Sequence, residues 1–460
     1  MKVTRIAGAW LVLVLFWHAP ASADNTYERV LDNGLKVVVK EDHRAPVVVS
    51  QIWYRVGSAQ EHNGITGVSH ALEHMMFKGT KKYSAEKFTS TLAEIGARDN
   101  AFTGRDYTAY FQLMSRDHLE ISFDIESDRM LNLILTEEDF NSEREVIKEE
   151  RRWRTDDDPN ALVYEQLNAA AFASSPYHHP VIGWMNDLEH LELEDLSRWY
   201  QRWYAPNNAV LVVVGDVQAE AVFALAQEYF GDIEPRAVRA SKPRREPEQT
   251  GPRRVTVKAV AKLPYLLLGY KVPSLATAEQ DWEPYALSVL AGVLDGGRSA
   301  RLSKRLVRER ELAASAGSGY NLHARYPTLF LFEAIPAQAH SLDDLEQAFY
   351  AEIRELQEAL VSEQELARVK AQVIASEVYA QDSIRAQAGV IGRLESVGLG
   401  WPAMDEYSTR INAISAEQVR QVARTYLVEE RLTVSLLEPL SEPANADKVA
   451  HAAAVSGAAH

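Results

Sequence analysis

The chain has 460 residues, 46% hydrophobic and 25% charged, the make-up of a folded globular protein with room for two domains. Its net charge of −16 argues against a polyanion partner such as nucleic acid, which needs clustered lysine and arginine. The absence of cysteine excludes disulfides, zinc–cysteine sites and thiol nucleophiles.

Residues 1–23 carry Lys2 and Arg5, then an apolar run from Ala7 to Trp17, then Ala21-Ser22-Ala23. Charge, apolar run and small-residue site predict a signal peptide removed after Ala23. The run is shorter than the roughly 20 residues of a membrane span. No later stretch is apolar enough to cross a bilayer, so the exported chain is expected to be soluble. Loss of Lys2 and Arg5 leaves 47 basic against 65 acidic residues, a net of −18.

Strands open the next segment: "LKVVVKED" and "VVVSQIWYRVGS" are β-branched runs. A helix follows with His70, Glu73 and His74 at i, i+3 and i+4, hence on one face. Two imidazoles so placed can close on one Zn2+ at about 2.0–2.1 Å each. The helix also carries Leu72, Met75, Met76 and Phe77, so it is expected to be partly buried. Buried histidines and a carboxylate need partners, and a metal supplies them.

A third ligand is sought on the helix expected over Asp139–Pro159. Val146 and Ile147 are taken to mark its inward face. Glu143 and Glu150, seven apart, fall on that face; Glu145 and Glu149 are expected to be solvated. Glu150 is the candidate ligand and Glu143 its supporting carboxylate. Two His and one Glu leave a position open, the catalytic rather than the structural arrangement. Glu73, between the ligands, is then the candidate general base for peptide hydrolysis. His178-His179 lacks nearby carboxylates and is read as a structural turn. Gly296-Gly297 lacks the Gly-Lys-Ser/Thr ending of a phosphate loop and is read as the end of a helix.

Helix, Pro-Asn-Asn turn and buried strand close the first half in "RWYAPNNAVLVVVGD". Residues 235–254, with four prolines and seven basic residues, read as an exposed linker. Beyond it the order repeats: strands "RRVTVKAV" and "YLLLGYKVP", a helical stretch, then "RTYLVEERLTVSLLE". Tyr204 and Tyr426 correspond. The expected fold is α+β: two homologous domains, 24–234 and 255–440, each a mainly antiparallel sheet packed with helices. The second lacks His and Glu in its counterpart helix and cannot hold the metal. The tail, 441–460, is small and polar and expected to be disordered.

Four strings, "GVSHALEHMMFKGT", "GARDNAFTGRDYTAY", "EREVIKEE" and "YAPNNAVLVVVGD", resemble the pitrilysin/insulinase family of inverzincin peptidases. The likeness is greatest to the mitochondrial processing peptidase and its bacterial relatives, and covers nearly all the mature chain. The resemblance implies zinc, one per chain, on His70, His74 and Glu150, with Glu73 as general base. It implies that Asn100, Ala101 and Phe102 lie on the edge strand that receives the peptide backbone. The family's Arg and Tyr in the second half, seven apart, are here Val307 and Ala314. Two outcomes follow. A homologous, zinc-free subunit supplies the pair in a heterodimer that encloses a chamber for unfolded peptides. Otherwise the chain is a weak or inactive member acting as a binding scaffold. The signal peptide and the bacterial resemblance place the chamber in the periplasm.

Overall fold

The computed structural model describes residues 25–238, 242, 244–380 and 382–441. The predicted signal peptide, and the predicted tail beyond Ser441, lie outside the described residues. In the first half β1 (Thr26–Val30), β2 (Lys36–Glu41) and β3 (Val47–Tyr54) precede α1 (Val68–Met75) and α2 (Ala85–Glu94). Then come β4 (Arg98–Thr103), β5 (Thr108–Ser115), α3 (Leu119–Asn132), α4 (Glu137–Arg151) and α5 (Pro159–Ala171). The half ends with α6 (Met185–His190), α7 (Leu193–Trp203), β6 (Ala209–Gly215) and α8 (Ala219–Phe230). The second half runs β7 (Arg253–Val260), β8 (Tyr265–Val272), α9 (Glu283–Asp295), β9 (Ala313–Tyr320) and β10 (Thr328–Pro336). It closes with α10 (Leu342–Glu358), α11 (Glu363–Ala380), α12 (Ile384–Val397), α13 (Ala403–Ala413), α14 (Ala416–Tyr426) and β11 (Leu432–Leu440).

The two sheets share one plan. Their strand orders are β1-β2-β6-β3-β5-β4 and β7-β11-β8-β10-β9. One parallel pair occurs in each, β2 with β6 and β7 with β11, and the other pairs are antiparallel. Strands β2, β6, β3, β5 and β4 thus correspond to β7, β11, β8, β10 and β9. This is the expected α+β architecture of two homologous domains. Tyr204 and Tyr426 stand at the ends of α7 and α14, as their places in the repeat require. The Gly296-Gly297 segment ends α9, with Gly297 at φ 98°.

Every residue of β6 is buried, because helices cover its sheet on both faces. One covering helix comes from the other half. α12 lies on β3 and β6, and α5 lies reciprocally on β7, β8 and β11. Ala388, Ile391 and Leu394 of α12 share a core with Val49, Trp53 and Val212 of the first sheet. Val163, Leu167 and Ala171 of α5 share one with Leu267, Leu329 and Leu437. Gly392 permits the close approach of α12, since a Cβ there would lie 2.0 Å from Trp53 Cε2.

The segment 235–254 is tied down by polar contacts, among them those of Glu246 and Gln249. Glu246 accepts from the backbone N–H of Ser174 (2.8 Å) and Ser175 (2.9 Å) and pairs with Lys271 Nζ at 2.8 Å. Gln249 Nε2 donates to the Leu432 carbonyl at 2.7 Å. Composition alone hides such anchors because neither is apolar. Arg253 and Arg254 already belong to β7.

Candidate metal centre

Helix α1 has only eight residues, and its start is set by the loop before it. Gly67 has φ 89°, a left-handed conformation, and a Cβ there would lie 2.6 Å from the Ile182 carbonyl oxygen. The Glu61 carboxylate accepts from the N–H of Gly67 (2.8 Å) and of Ser69 (2.9 Å), two donors with no partner inside the helix. Glu61 is fully buried, and burial pushes its pKa up to about 7 despite those bonds. Val68, Ala71, Leu72 and Met75 pack into the core of the first half, leaving His70, Glu73 and His74 on the cavity side.

α4 lies across α1 and turns Phe140 and Ile147 inward. Val146, expected beside Ile147 on the inward face, is 48% exposed and lines the cavity instead. It lies about 100° round the helix from Ile147, which takes the core position. Glu145 and Glu149 are solvated and pair with Lys148 and Arg152. Past Arg151 the helix widens to a π turn over Arg152–Asp156, and Asp158 caps α5. Such turns recur at functional sites.

The structure brings His70, His74 and Glu150 together. His70 Nε2 stands 3.6 Å and His74 Nε2 3.4 Å from Glu150 Oε2. One ligand atom from each lies within 4.8 Å of the others. Two ligands about 2.0–2.1 Å from a tetrahedral zinc are themselves roughly 3.4 Å apart, so the donors fit such an ion. His74 Nδ1 is bonded to Glu143 Oε2 at 3.0 Å, which directs Nε2 toward Glu150. Lys78 Nζ holds the other Glu143 oxygen at 2.5 Å, and Arg154 holds Glu150 Oε1 at 2.6 Å. Thr103 Oγ1 donates to Glu73.

These contacts set the charges. Burial, then the neighbouring His74, lowers the His70 pKa to about 4, which keeps the ring neutral, the form in which an imidazole can bind a metal. Burial acts downward on His74 too, but the bonds from Glu150 and Glu143 outweigh it and raise its pKa. Glu150 is held below the usual carboxylate range by the His74 bond. Burial raises Glu73, the direction a proton acceptor needs for work near neutral pH.

The centre forms part of the wall of a cavity of about 1230 Å³ that both halves line. Asn100, Ala101 and Phe102 are on β4, the sheet edge at this cavity. Phe102 turns its ring onto Trp53, 5.2 Å between centroids. Ala101 N–H is taken by the Asn100 Oδ1 at 2.8 Å. His178 and His179 form the expected turn, with His178 Nδ1 bonded to the Ser175 carbonyl at 2.7 Å. They are in the cavity wall but belong to no group of three ligands among the described residues. None of Leu306–Ala314 lines the cavity. Val307 packs on the second core instead, and Ala314 lies on β9.

Sequence reasoning missed Arg154, Lys78, His323 and Arg393, and the bond from Thr103 to Glu73. Arg154 is four residues from Glu150 and its spacing offered the signal. Thr103 and the second-half residues reach the site only through tertiary folding.

Known proteins resemble the chain in sequence and in fold. Residues 36–183 match the profile described as Insulinase (Peptidase family M16), and residues 190–373 match that described as Peptidase M16 inactive domain. The zinc protease PqqE of Helicobacter pylori is 31% identical over 446 residues, 95% of this chain and 99% of that protein. The crystal structure of a protease from Helicobacter pylori superposes with a TM-score of 0.85 at 30% identity, covering 91% of this chain and all of that one. In fold, the periplasmic protease PqqL from Escherichia coli matches with a TM-score of 0.77 at 20% identity, over 91% of this chain and 48% of that chain.

Proposed function

Because the chain belongs to the insulinase family of M16 peptidases, we propose that it is the zinc-bearing subunit of an endopeptidase that cuts unfolded peptides. The observation that carries this is the convergence of His70 and His74 Nε2 on Glu150 Oε2, with Glu73 alongside, in the wall of one cavity. A zinc ion held by these three would supply Lewis acidity to a water and to the peptide carbonyl. Glu73 takes the proton of the attacking water and returns it to the leaving amine. Thr103 orients the Glu73 carboxylate; Glu143 orients His74. Asn100, Ala101 and Phe102 offer the edge on which the peptide backbone pairs.

The family's Arg and Tyr are absent from Leu306–Ala314, and that segment stands away from the cavity. A homologous subunit carrying the pair completes the chamber. The chain spans only about half of PqqL in fold, the size expected of one of two such units. The signal peptide read in residues 1–23 directs this assembly to the periplasm, the compartment named for PqqL. Among the described residues no helix is long and apolar enough to cross a membrane. The same missing pair favours a second reading, a weak or inactive scaffold subunit.

The test is zinc content together with hydrolysis of a quenched, unstructured peptide, with and without a homologous chain. One zinc per chain and cutting stimulated by the partner are expected. Zinc without cutting in either case would leave the scaffold; full activity alone would remove the partner.

A further inference from the structure

Successive side chains of β4 point to opposite faces of its sheet. Ala101 packs toward α1 and Thr103 bonds Glu73, so Asp99, Ala101 and Thr103 share the face of the metal centre. Arg98, Asn100 and Phe102 share the other face, where Phe102 meets Trp53 and Tyr107. That other face is the one α12 covers.

α12 brings two arginines to it. The Arg385 guanidinium stands 5.2 Å over the Phe111 ring, and Phe111 is paired with Asn100 in the ladder. Arg393 lines the cavity, close to Tyr107 and His323. Arg98 stands at the far end of β4. Arg393 and Arg98 thus stand at the two ends of a strand about 17 Å long at 3.3 Å per residue, with Arg385 over the neighbouring β5.

All three arginines are exposed, and none has an ion-pair partner among the described residues. Arg44, next along the groove beyond Arg98, is by contrast held by Asp42 at 2.6 Å, with Asp382 at 3.8 Å. The carboxylates of the metal centre, Glu73 and Glu150, lie on the opposite face. The three arginines thus put positive charge on the α12 side of β4 and β5.

Resting on the reading of β4 as the strand that receives the peptide, we propose that Arg98, Arg385 and Arg393 select peptides with Asp or Glu at alternate positions. Those positions are on the stretch running from the scissile bond toward Arg98. A strand added to β4 turns every second side chain to the α12 face. Acidic side chains there meet the three cations.

The experiment uses the full mature chain, with its partner where one is required, and quenched peptides of one length. Alternate positions on one side of the scissile bond carry Glu, Gln or Lys. Three partly exposed pairs should raise kcat/KM of the Glu peptide over the Gln peptide roughly tenfold, through KM and less at high salt. Arg98→Glu and Arg393→Glu should shrink or reverse the ranking of Glu and Lys peptides. Both positions are exposed, so folding is not at stake. Binding of the same peptides to Glu73→Gln chain is measured in parallel. Hydrolysis blind to charge overturns the proposal and leaves the peptidase reading intact. No hydrolysis of any peptide, with charge-ranked binding that Arg98→Glu reverses, overturns the peptidase reading and keeps these arginines as the selecting charge. A ranking unmoved by both substitutions overturns the assignment to these residues.

Discussion

α1 and α9 occupy the same place in two sheets of one plan, and each is crossed by the matching helix, α4 or α11. Between α9 and α11 the filling is apolar. Gly292 lets the helices close until a Cβ would lie 2.8 Å from Val369 and 2.9 Å from Val373. Between α1 and α4 the filling is His70, His74, Glu143 and Glu150. The site is thus a helix–helix interface in which packing atoms have been exchanged for polar groups that could hold a metal ion. Such an exchange is costly unless every polar atom finds a partner. Lys78, Arg154 and Thr103 accordingly close on Glu143, Glu150 and Glu73, while His70 Nδ1 is buried without a hydrogen-bond partner among the described residues.

The comparison is broken most directly at Glu73, whose counterpart half has no such group. Glu73→Gln should keep zinc bound and lower peptide kcat by about 10²–10⁴-fold, the usual worth of a positioned proton acceptor. His70→Ala should instead lose the metal, read by zinc content after dialysis. Loss of zinc from the Glu73→Gln chain would show that Glu73 is a ligand and not the base.

The next effect concerns what the halves share. Each sheet is covered by a helix of the other, so the chain should unfold as one unit despite its duplicated plan. Gly392→Ala drives a methyl into Trp53, which is fully buried and bonded to Gln51 Oε1 at 2.9 Å. Overpacking of this kind costs about 1–3 kcal/mol or more. A single calorimetric transition at lower temperature is expected. Two separate transitions would show that the exchanged helices do not couple the halves.

Much of this plan is legible in the sequence because its signals are local. The runs "VVVSQIWY" and "AVLVVVG" announce buried strands, and the spacing of His70, Glu73 and His74 announces one helix face. Phase on α4 brings Glu143 and Glu150 to α1 but misassigns Val146, because an inward face about 100° wide leaves one of two adjacent residues at the boundary. The reciprocal placement of α5 and α12 has no local signature at all. Ala388, Ile391 and Leu394 read simply as an apolar stripe, and nothing in the spacing names the sheet they cover.

Glu61 gives a smaller effect and a pH dependence. Burial raises its folded pKa to about 7, above the 4.5 of a free glutamate. The folded chain therefore holds a proton that the unfolded chain has released, and stability falls as pH rises from 4.5 through 7. Glu61→Gln keeps one acceptor for α1 and loses the other, at about 1–2 kcal/mol near pH 5. It should also flatten the difference between urea midpoints at pH 5 and pH 8. A variant as pH-sensitive as the parent would place the proton elsewhere.

The finest distinction lies between the edge strands β4 and β9. An edge invites pairing, and β4 is guarded by Asn100, whose Oδ1 occupies the Ala101 N–H at 2.8 Å. A peptide added to β4 needs that N–H as a donor, so it has to displace the side chain first. Asn100→Ala removes the competitor without touching the ligands. KM for an uncharged peptide should then fall about two- to threefold, the worth of part of one hydrogen bond, with kcat unchanged. A rise in KM would mean that the freed Asn100 amide turns to the peptide and contributes more there than it withholds from the backbone.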